Sequence, residues 1–546
     1  MSDMGKRLTA CTLQKSPGKI FRFLIYTSLH LRCTVNTIFI SSFLSLIFVS
    51  ALCIPETFSQ TSSLTVRTTI SKQISSKFKS PGRIFLFVSE SKISQPRLNT
   101  WPDRSNNIFA VTLEEWNKDN SFIFDESAEL TGSTDISLNE IPHGKYRIQV
   151  VWDQNREEAG INTPGNLYSE AVTVDINEDL ELVLPLEFVV FPEKLAEQRF
   201  LKEVNIKSRI LSEWHKRDIY LKAAVLLPSG YFKRPKKYYP VRYTIAGYGG
   251  RYTRANGLVK WDKNFYEWWM SDEAPQIINV FLDGTGPFGD CYQIDSENNG
   301  PFGTALISEL IPYIEKKYRA NGTPASRFLD GCSTGGWVSL ALQIFYPDYF
   351  NGCFSYSPDP VDFENFQNIN IYKDKNAFYN EDGTPKPLAR NYSGEPYIYQ
   401  KEFIQFENTL GWNDSYVTSG GQFGAFNALF SPGGADGLPK PLFDPYSGEI
   451  DRNVAEHWRK YDLKKYLSAN LERVAPKIQG KIWIWMGEMD NYYLDAALRS
   501  FDKMVSSNPA LDATVIFEPG KGHCSAYSDK QVLLQIQERV NNKSDR

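Results

Sequence analysis

Between about Ser63 and Pro192, apolar and polar residues alternate with period two, and Pro, Gly, Asn and Asp interrupt the pattern often. The runs GRIFLFVSE (82–90), SNNIFAVTL (105–113), HGKYRIQVVWD (143–153), YSEAVTVDI (168–176) and LELVLPLEFVVF (180–191) have the composition of short strands. Five or more such strands without a helical stretch predict a small all-β sandwich over 61–192. A charged stretch, 193–207, predicts a linker. From 208 to the C-terminus the pattern changes. YLKAAVLLP (220–228), YPVRYTIAG (239–247), PQIINVFLDG (275–284), SRFLDG (326–331), GCFSYSP (352–358), KIWIWMG (481–487) and ATVIFEPG (513–520) are apolar runs of buried-strand length. Between them, Thr304 to Tyr318 places Leu306, Ile307, Leu310, Ile311 and Ile314 on one helical face, with Glu315, Lys316 and Lys317 mainly outside. Trp337–Tyr346, Leu494–Val505 and Asp529–Val540 also read as helices. Strand followed by helix, repeated, predicts an α/β domain over 208–546 with a mostly parallel sheet covered on both faces.

The first 60 residues differ from both patterns. Residues 33 to 55 carry no charge, and the preceding segment holds Lys6, Arg7, Lys15, Lys19, Arg22 and Arg32 against Asp3. A basic region, an apolar core and the small residues of Thr57-Phe58-Ser59 predict a signal peptide removed on export; retention as an N-terminal membrane anchor is the alternative. The 546 residues carry 60 Lys+Arg and 64 Asp+Glu, a net charge of -4. Removing the leader, six basic and two acidic residues, takes this to -8. No nucleic-acid partner is expected of an acidic chain, and a membrane contact is expected only if the leader is retained. Asp153-Gln154-Asn155-Arg156-Glu157 lacks the glycine and terminal glutamate of a calcium loop and reads as a turn.

The sharpest motif is Gly331-Cys332-Ser333-Thr334-Gly335-Gly336, which follows a predicted strand and precedes a predicted helix. G-x-S-x-G in that setting is a nucleophile elbow: the turn is so tight that side chains on either side of the serine would collide. Ser333 then requires a base and an orienting acid, in the order Ser, Asp or Glu, His. Only His457 and His523 follow Ser333. His457 falls in a predicted helix, whereas His523 lies in a loop after the strand ATVIFEPG, where parallel-sheet enzymes place site residues. Asp490 is the first Asp beyond the end of KIWIWMG and is the candidate acid, with Glu488 and Asp495 as rivals and helix capping as its plain alternative role. Oxyanion donors are expected from the Thr334 amide and from Tyr248 or Gly249 in AGYGGRY, a segment whose plain alternative is a flexible surface turn. No metal or organic cofactor is expected.

The segments YTIAGYGG, DSENNGPFGTALISELIPYIEKKY, GCSTGGWVSLALQIFYPDYF, GEMDNYYL and GHC together resemble the putative esterase family of α/β-hydrolases. That family includes enterochelin esterases, S-formylglutathione hydrolases, feruloyl and acetylxylan esterases and mycolyltransferases. The resemblance covers about residues 205 to 535 and implies an α/β-hydrolase fold and a catalytic triad of Ser333, Asp490 and His523. Relatives often have His-Gly where this chain has Ala246-Gly247. Cys332 precedes Ser333 and Cys524 follows His523, an adjacency similar to that of the tannase and fungal feruloyl-esterase family, where a bridge ties the two loops. Because Ser and His must meet, their neighbours are brought close, and a Cys332–Cys524 disulfide is one reading; two separate buried thiols are the other. Cys291 and Cys353 have only each other as partners.

Residues 359–480 form a connection far longer than an ordinary βα loop. It contains Tyr397, Tyr399, Trp412, Phe423, Phe426 and Trp458, and reads either as a cap insertion with aromatics lining a pocket or as a subdomain with its own aromatic core. The expected function is an exported (periplasmic, cell-surface or secreted) serine esterase acting through an acyl-enzyme on carbohydrate-linked or aromatic acyl esters. An acyltransferase using the same triad and a non-catalytic binding protein on a hydrolase scaffold are the alternatives.

Overall fold

Eight strands form one sheet in the computed structural model, which describes residues 61–90 and 92–544. They are β1 (Leu201–Ser208), β2 (Ile219–Leu226), β3 (Val241–Ile245), β4 (Ile278–Leu282), β5 (Arg327–Cys332), β6 (Cys353–Tyr356), β7 (Ile482–Gly487) and β8 (Thr514–Glu518). The lateral order is β1-β2-β4-β3-β5-β6-β7-β8. The β1–β2 and β2–β4 pairs are antiparallel and all later pairs are parallel. The expected leader and its cleavage or retention lie outside the described residues. Among the described residues, no helix is long and apolar enough to cross a membrane.

The seven apolar runs of the sequence are β2 to β8. The eighth strand is a correction: the 193–207 segment expected to be a linker contributes residues 201–207 to β1, which pairs from Leu201 opposite Leu226 to Ser208 opposite Ile219. As an edge strand with one wet face, LKEVNIKS buries only alternate side chains and so carries no continuous apolar run. Strands β3 to β6 are buried along their whole length.

The helices used below are α1 (Lys263–Met270), α2 (302–317), α3 (Thr334–Phe345), α4 (Gln400–Leu410), α5 (Gln422–Phe430), α6 (Leu494–Ser506) and α7 (Asp529–Ser544). On α2, Leu306, Leu310, Ile311 and Ile314 enter the core as expected, with Ile307 partly buried. Glu315 departs from expectation. It is buried, because its carboxylate accepts from Arg327 Nε at 2.7 Å and Nη2 at 2.9 Å, so the charge is paired rather than solvated.

Besides the short antiparallel pair of Thr61–Ser62 with Ile141–Pro142, the N-terminal part folds into two sheets. In the larger, the strands run in the order Leu186–Val189, Leu167–Ser169, Gly144–Asp153, Gly82–Ser89, Asn106–Leu113 and Thr131–Gly132, and Val172–Ile176 also pairs with Gly144–Asp153. Leu180–Val183, Leu64–Thr68 and Phe122–Phe124 make the smaller. Leu64 and Val66 face Ile84, Leu86, Val88 and Val150 between the sheets. The other face of the larger sheet is not wet. Phe85, Phe87, Ile108, Ala110 and Val151 pack against Phe406 and Leu410 of α4, which belongs to the long connection between β6 and β7. Arg83, fully buried, locks this contact: Nε and Nη2 donate to the Thr409 carbonyl at 3.1 and 3.0 Å, Nη2 to Asp414 at 2.6 Å and Nη1 to Thr112 at 2.8 Å.

Within that connection most aromatics pack on one another. Phe366 meets Phe423, Phe426 and Trp458 with ring centroids 6.3, 5.1 and 5.4 Å away, and all four are buried. Tyr397 is exposed.

Candidate active site

Strand β5 ends at Cys332 and α3 begins at Thr334, leaving Ser333 alone in the turn with φ 61° and ψ -126°. That conformation is costly for a side-chain-bearing residue and persists only where the surroundings impose it. The neighbours do so. A Cβ on Gly331 would lie 2.5 Å from backbone atoms of Gly335 and Ile245, and one on Gly335 would lie 2.2 Å from the Ile245 carbonyl. The Ser333 N–H donates to Tyr356 at the end of β6 at 3.0 Å.

Cys332 is disulfide-bonded to Cys524, with the Cα atoms 5.9 Å apart, so the residue before Ser333 is tied to the residue after His523. Cys291 and Cys353 are buried free thiols and do not bond to each other. The loop carrying His523 is held on its other flank by the residues that open α7. Tyr527 OH donates to Asp330 at 2.9 Å, and Asp529 accepts from the buried Arg242 at 2.7 Å, beneath β3 and β5.

His523 Nδ1–H donates to Asp490 Oδ2 at 2.7 Å. Asp490 is fully buried in the turn after β7, and its other oxygen accepts the Tyr492 and Leu494 amides at 2.9 and 3.3 Å. One oxygen of the carboxylate therefore holds the imidazole and the other holds the amides that lead into α6. The rivals are engaged elsewhere: Asp495 accepts from Arg390 at 2.8 Å, and Glu488 faces Arg499 at 3.7 Å. His457, in the long connection, is bound to the Phe430 carbonyl within that connection and to Glu297 outside it, both at 2.8 Å. The Tyr492 ring stands edge-on to His523, centroids 4.8 Å apart. Burial alone would lower the His523 pKa, but the charge and hydrogen bond of Asp490, and then the charge of Asp359, outweigh it and leave the imidazole above its ordinary value.

The loop after β3 passes close to the serine. A Cβ on Gly247 would be 3.5 Å from the Cys332 carbonyl and 3.6 Å from Ser333 Cβ. Gly249 has φ 71°, and the Tyr248 hydroxyl donates to the Gly420 carbonyl. The Thr334 N–H, in the first turn of α3, has no intrahelical acceptor by helix geometry.

One residue of the site escaped the sequence reading. Asp359, just beyond β6 in Ser357-Pro358-Asp359-Pro360, is buried, with Oδ1 accepting from Ser333 Oγ at 3.4 Å. Its Oδ2 accepts from Tyr292 OH at 2.8 Å and Thr334 Oγ1 at 3.0 Å, and lies 3.5 Å from Gln422 Nε2 of α5. Burial pushes its pKa up to about 6, against the opposing hydrogen bonds of Tyr292 and Thr334 and the charge of His523. A polar residue directly past the end of a parallel strand was the available signal. Among the described residues, no group of three or more His, Cys, Asp or Glu is placed to hold a metal.

A serine in a strained strand-to-helix turn, with a carboxylate-bound histidine on a loop bonded to that turn, is equipped for acyl transfer. Residues 216–531 match the Esterase family model, described as Putative esterase. The chain belongs to the putative esterase family. The match spans the elbow, the 359–480 connection, Asp490 and His523 in one stretch, and agrees with the resemblance carried by the sequence motifs. As a member, the chain is an esterase, and the sheet described above is its α/β-hydrolase sheet. A search of curated proteins returns no match. Solved structures similar to this esterase include a ferulic acid esterase at 17% identity, covering 62% of this chain and 98% of that one with a TM-score of 0.39. An S-formylglutathione hydrolase from Agrobacterium tumefaciens is similar at 13% identity, covering 63% and 97%, TM-score 0.36. A ferulic acid esterase from Anaeromyces mucronatus in complex with ferulic acid is similar at 14% identity, covering 63% and 92%, TM-score 0.32. At such TM-scores these remain likenesses, and the family membership rests on the family model.

Proposed function

We propose that this esterase is an exported serine carboxylic-ester hydrolase that forms an acyl-enzyme on Ser333. The observation that carries the reading is the 2.7 Å bond from His523 Nδ1 to buried Asp490, on a loop disulfide-bonded to the residue before Ser333. In this reading Ser333 Oγ attacks the ester carbonyl and its proton passes to His523 Nε2, while Asp490 keeps the Nδ1 tautomer and stabilises the imidazolium. The Thr334 amide and the amide of Tyr248 or Gly249 receive the developing oxyanion. On collapse His523 returns the proton to the leaving alcohol. Water then attacks the acyl-enzyme by the reverse route and frees the acid.

The β-sandwich over 61–192 is the accessory domain and 208–546 the hydrolase domain, with 359–480 as its cap. Gln422 of that insertion reaches Asp359, and a Cβ on Gly522 would meet Tyr392 at 2.5 Å, so the insertion borders both the serine and the histidine sides. Carbohydrate-linked or aromatic acyl esters are the proposed substrates. The leader pattern and the disulfide favour an oxidising, exported location. The test is labelling with a fluorophosphonate probe. The unsubstituted protein is expected to label and Ser333→Ala to stay unlabelled; failure of the unsubstituted protein to label overturns the hydrolase reading, and equal labelling of both overturns the role of Ser333. A panel of p-nitrophenyl, feruloyl and acetylated-sugar esters then ranks substrates.

A further inference from the structure

Where the β module meets the insertion, the surface opens into a groove of about 820 Å³, inside the size range of small-molecule sites. Trp101 of the module and Phe406 of α4 line it, and both also line a smaller cavity of about 190 Å³ that extends to Tyr248 and Gln422. Trp101 thus lines both spaces, the open groove and the smaller cavity that reaches Tyr248 and Gln422. Its ring centroid is 5.7 Å from Tyr492, and Tyr492 is the ring that stands against His523. The phenol of Tyr492 is pushed up to about 12, first by burial and then by Tyr397 and Asp490, which places Tyr397 in the same neighbourhood.

We propose that this groove binds the sugar part of the ester's alcohol, with Trp101 of the β module as the platform on which a sugar ring stacks. The proposal rests on the hydrolase reading above and adds to it a role for the accessory domain. Position comes first. His523 hands its proton to the leaving oxygen, so the alcohol must lie on the histidine side, and the run His523–Tyr492–Trp101 leads from there into the groove. Chemistry comes second. Trp101 and Tyr397 remain 36% and 46% exposed, large rings left open to solvent at facing edges of two different domains. The apolar C–H face of a pyranose suits such a ring, and its hydroxyls need donors and acceptors around the rim. The rim supplies them: Gln405 donates to Asp135 at 3.2 Å, and Arg104 pairs with Glu402 at 2.7 Å. A purely aliphatic alcohol would gain nothing from those groups and would desolvate them at a cost. Third, the geometry is held firm, because α4 is packed beneath Phe85 and Phe87 and pinned by Arg83.

Two measurements on the full chain test this. The first compares kcat/KM for an acetylated xylobiose with that for ethyl acetate, which shares the acyl group and differs only in the alcohol. The expected result is a preference for the sugar ester that falls about tenfold, through KM, in Trp101→Ala and also in Tyr397→Ala, about the equivalent of one lost aromatic contact. Trp261→Ala, a 74% exposed residue outside the groove, serves as the control and keeps the preference. Equal losses on both esters, or an unchanged ratio in both variants, overturn the proposal. The second measurement does not depend on turnover: saturation-transfer NMR of xylobiose, cellobiose and arabinobiose with Ser333→Ala. Transfer to at least one disaccharide, lost when Trp101→Ala is added, supports the groove; no transfer to any overturns it. An inactive, unlabelled protein that still binds a disaccharide through Trp101 would sink the hydrolase reading and leave the groove standing.

Discussion

Breaking the bond between Cys332 and Cys524 perturbs stability and chemistry at once, and the two effects can be sized separately. The bridge closes a loop with a sequence separation of 192. In the chain-entropy treatment a loop of that length removes about 18 cal/mol/K from the unfolded ensemble, or about 5 kcal/mol at 25 °C. At about 2.1 cal/mol/K per residue, the compact unit Ser59–Arg546 unfolds with an entropy of about 1.0 kcal/mol/K, so Tm should fall by about 5 °C in Cys332→Ala/Cys524→Ala. For catalysis, the bridge joins the residue before Ser333 to the residue after His523. In the proposed mechanism, releasing it lets the base His523 drift from the nucleophile Ser333, and a misplacement of about 1 Å costs up to about 100-fold in kcat, with KM much less affected. Differential scanning calorimetry and steady-state kinetics on a soluble p-nitrophenyl ester read the two effects, and peptide mapping without reduction verifies the bond. A Tm within 1 °C of the unsubstituted protein refutes the stability argument. A lowered Tm with unchanged kcat refutes the tether's role in placing the proposed base, and both thiols free in the purified protein refute the starting point.

Three further outcomes follow from the same geometry. In the proposed mechanism His523 must be neutral to accept the Ser333 proton, and its pKa is raised, so kcat/KM should climb with pH through a midpoint above the ordinary histidine value near 6.5; Asp490→Asn removes the charge that raises it, shifting the limb to lower pH and lowering kcat on the order of 10⁴-fold. Asp359, with a folded-state pKa of about 6 against about 3.9 unfolded, binds its proton more tightly when folded and so costs stability as pH rises; Asp359→Asn should gain on the unsubstituted protein between pH 4 and 6 and hold about 3 kcal/mol above that, read by urea unfolding at pH 4 and pH 8. An equal difference at both pH values contradicts the burial argument. Arg83→Met removes the guanidinium bound to Thr409 and Asp414 and should cost about 3 kcal/mol, the lower end for a broken buried pair because Asp414 keeps some solvent; an unchanged urea midpoint contradicts it.

The tight turn at Ser333 was legible because its sequence is dictated by space: Gly331 and Gly335 sit where any Cβ would strike backbone, so the glycines betray the turn. The pairing of His523 with Asp490 was legible because both lie just past the ends of parallel strands, and few histidines competed. The same rule pointed to Asp359, but the expected triad already had an acid, and nothing in Ser357-Pro358-Asp359-Pro360 reveals that the side chain turns towards Ser333. β1 was misread because an edge strand with one wet face carries half the apolar signal of a central one. Glu315 was misread because its partner, Arg327, lies 12 residues away on β5, and periodicity sees only the residue's own helix. The contact between Trp101 and Tyr492 joins residues nearly 400 positions apart, a distance over which sequence pattern carries no information.

The continuous apolar run IFLFV at 84–88 has the same origin as that long-range contact. In a freestanding antiparallel sandwich, one face of each sheet meets water and its strands alternate. Here Gly82–Ser89 is buried at every position, Ile84, Leu86 and Val88 facing the smaller sheet and Phe85 and Phe87 facing α4. Such a strand is a core strand of the whole molecule, so the N-terminal module is shaped by the hydrolase insertion as much as by its own partner sheet. Arg83 makes the same point in polar terms, since a buried guanidinium is tolerable only with its acceptors in place, and three of its four hydrogen bonds go to residues of the insertion. A module selected only to carry the enzyme to a surface would need none of this. Its fixed docking onto α4 brings Trp101 to Tyr492, the ring that stands against His523, and this is the contact through which the proposed accessory domain bears on the proposed site.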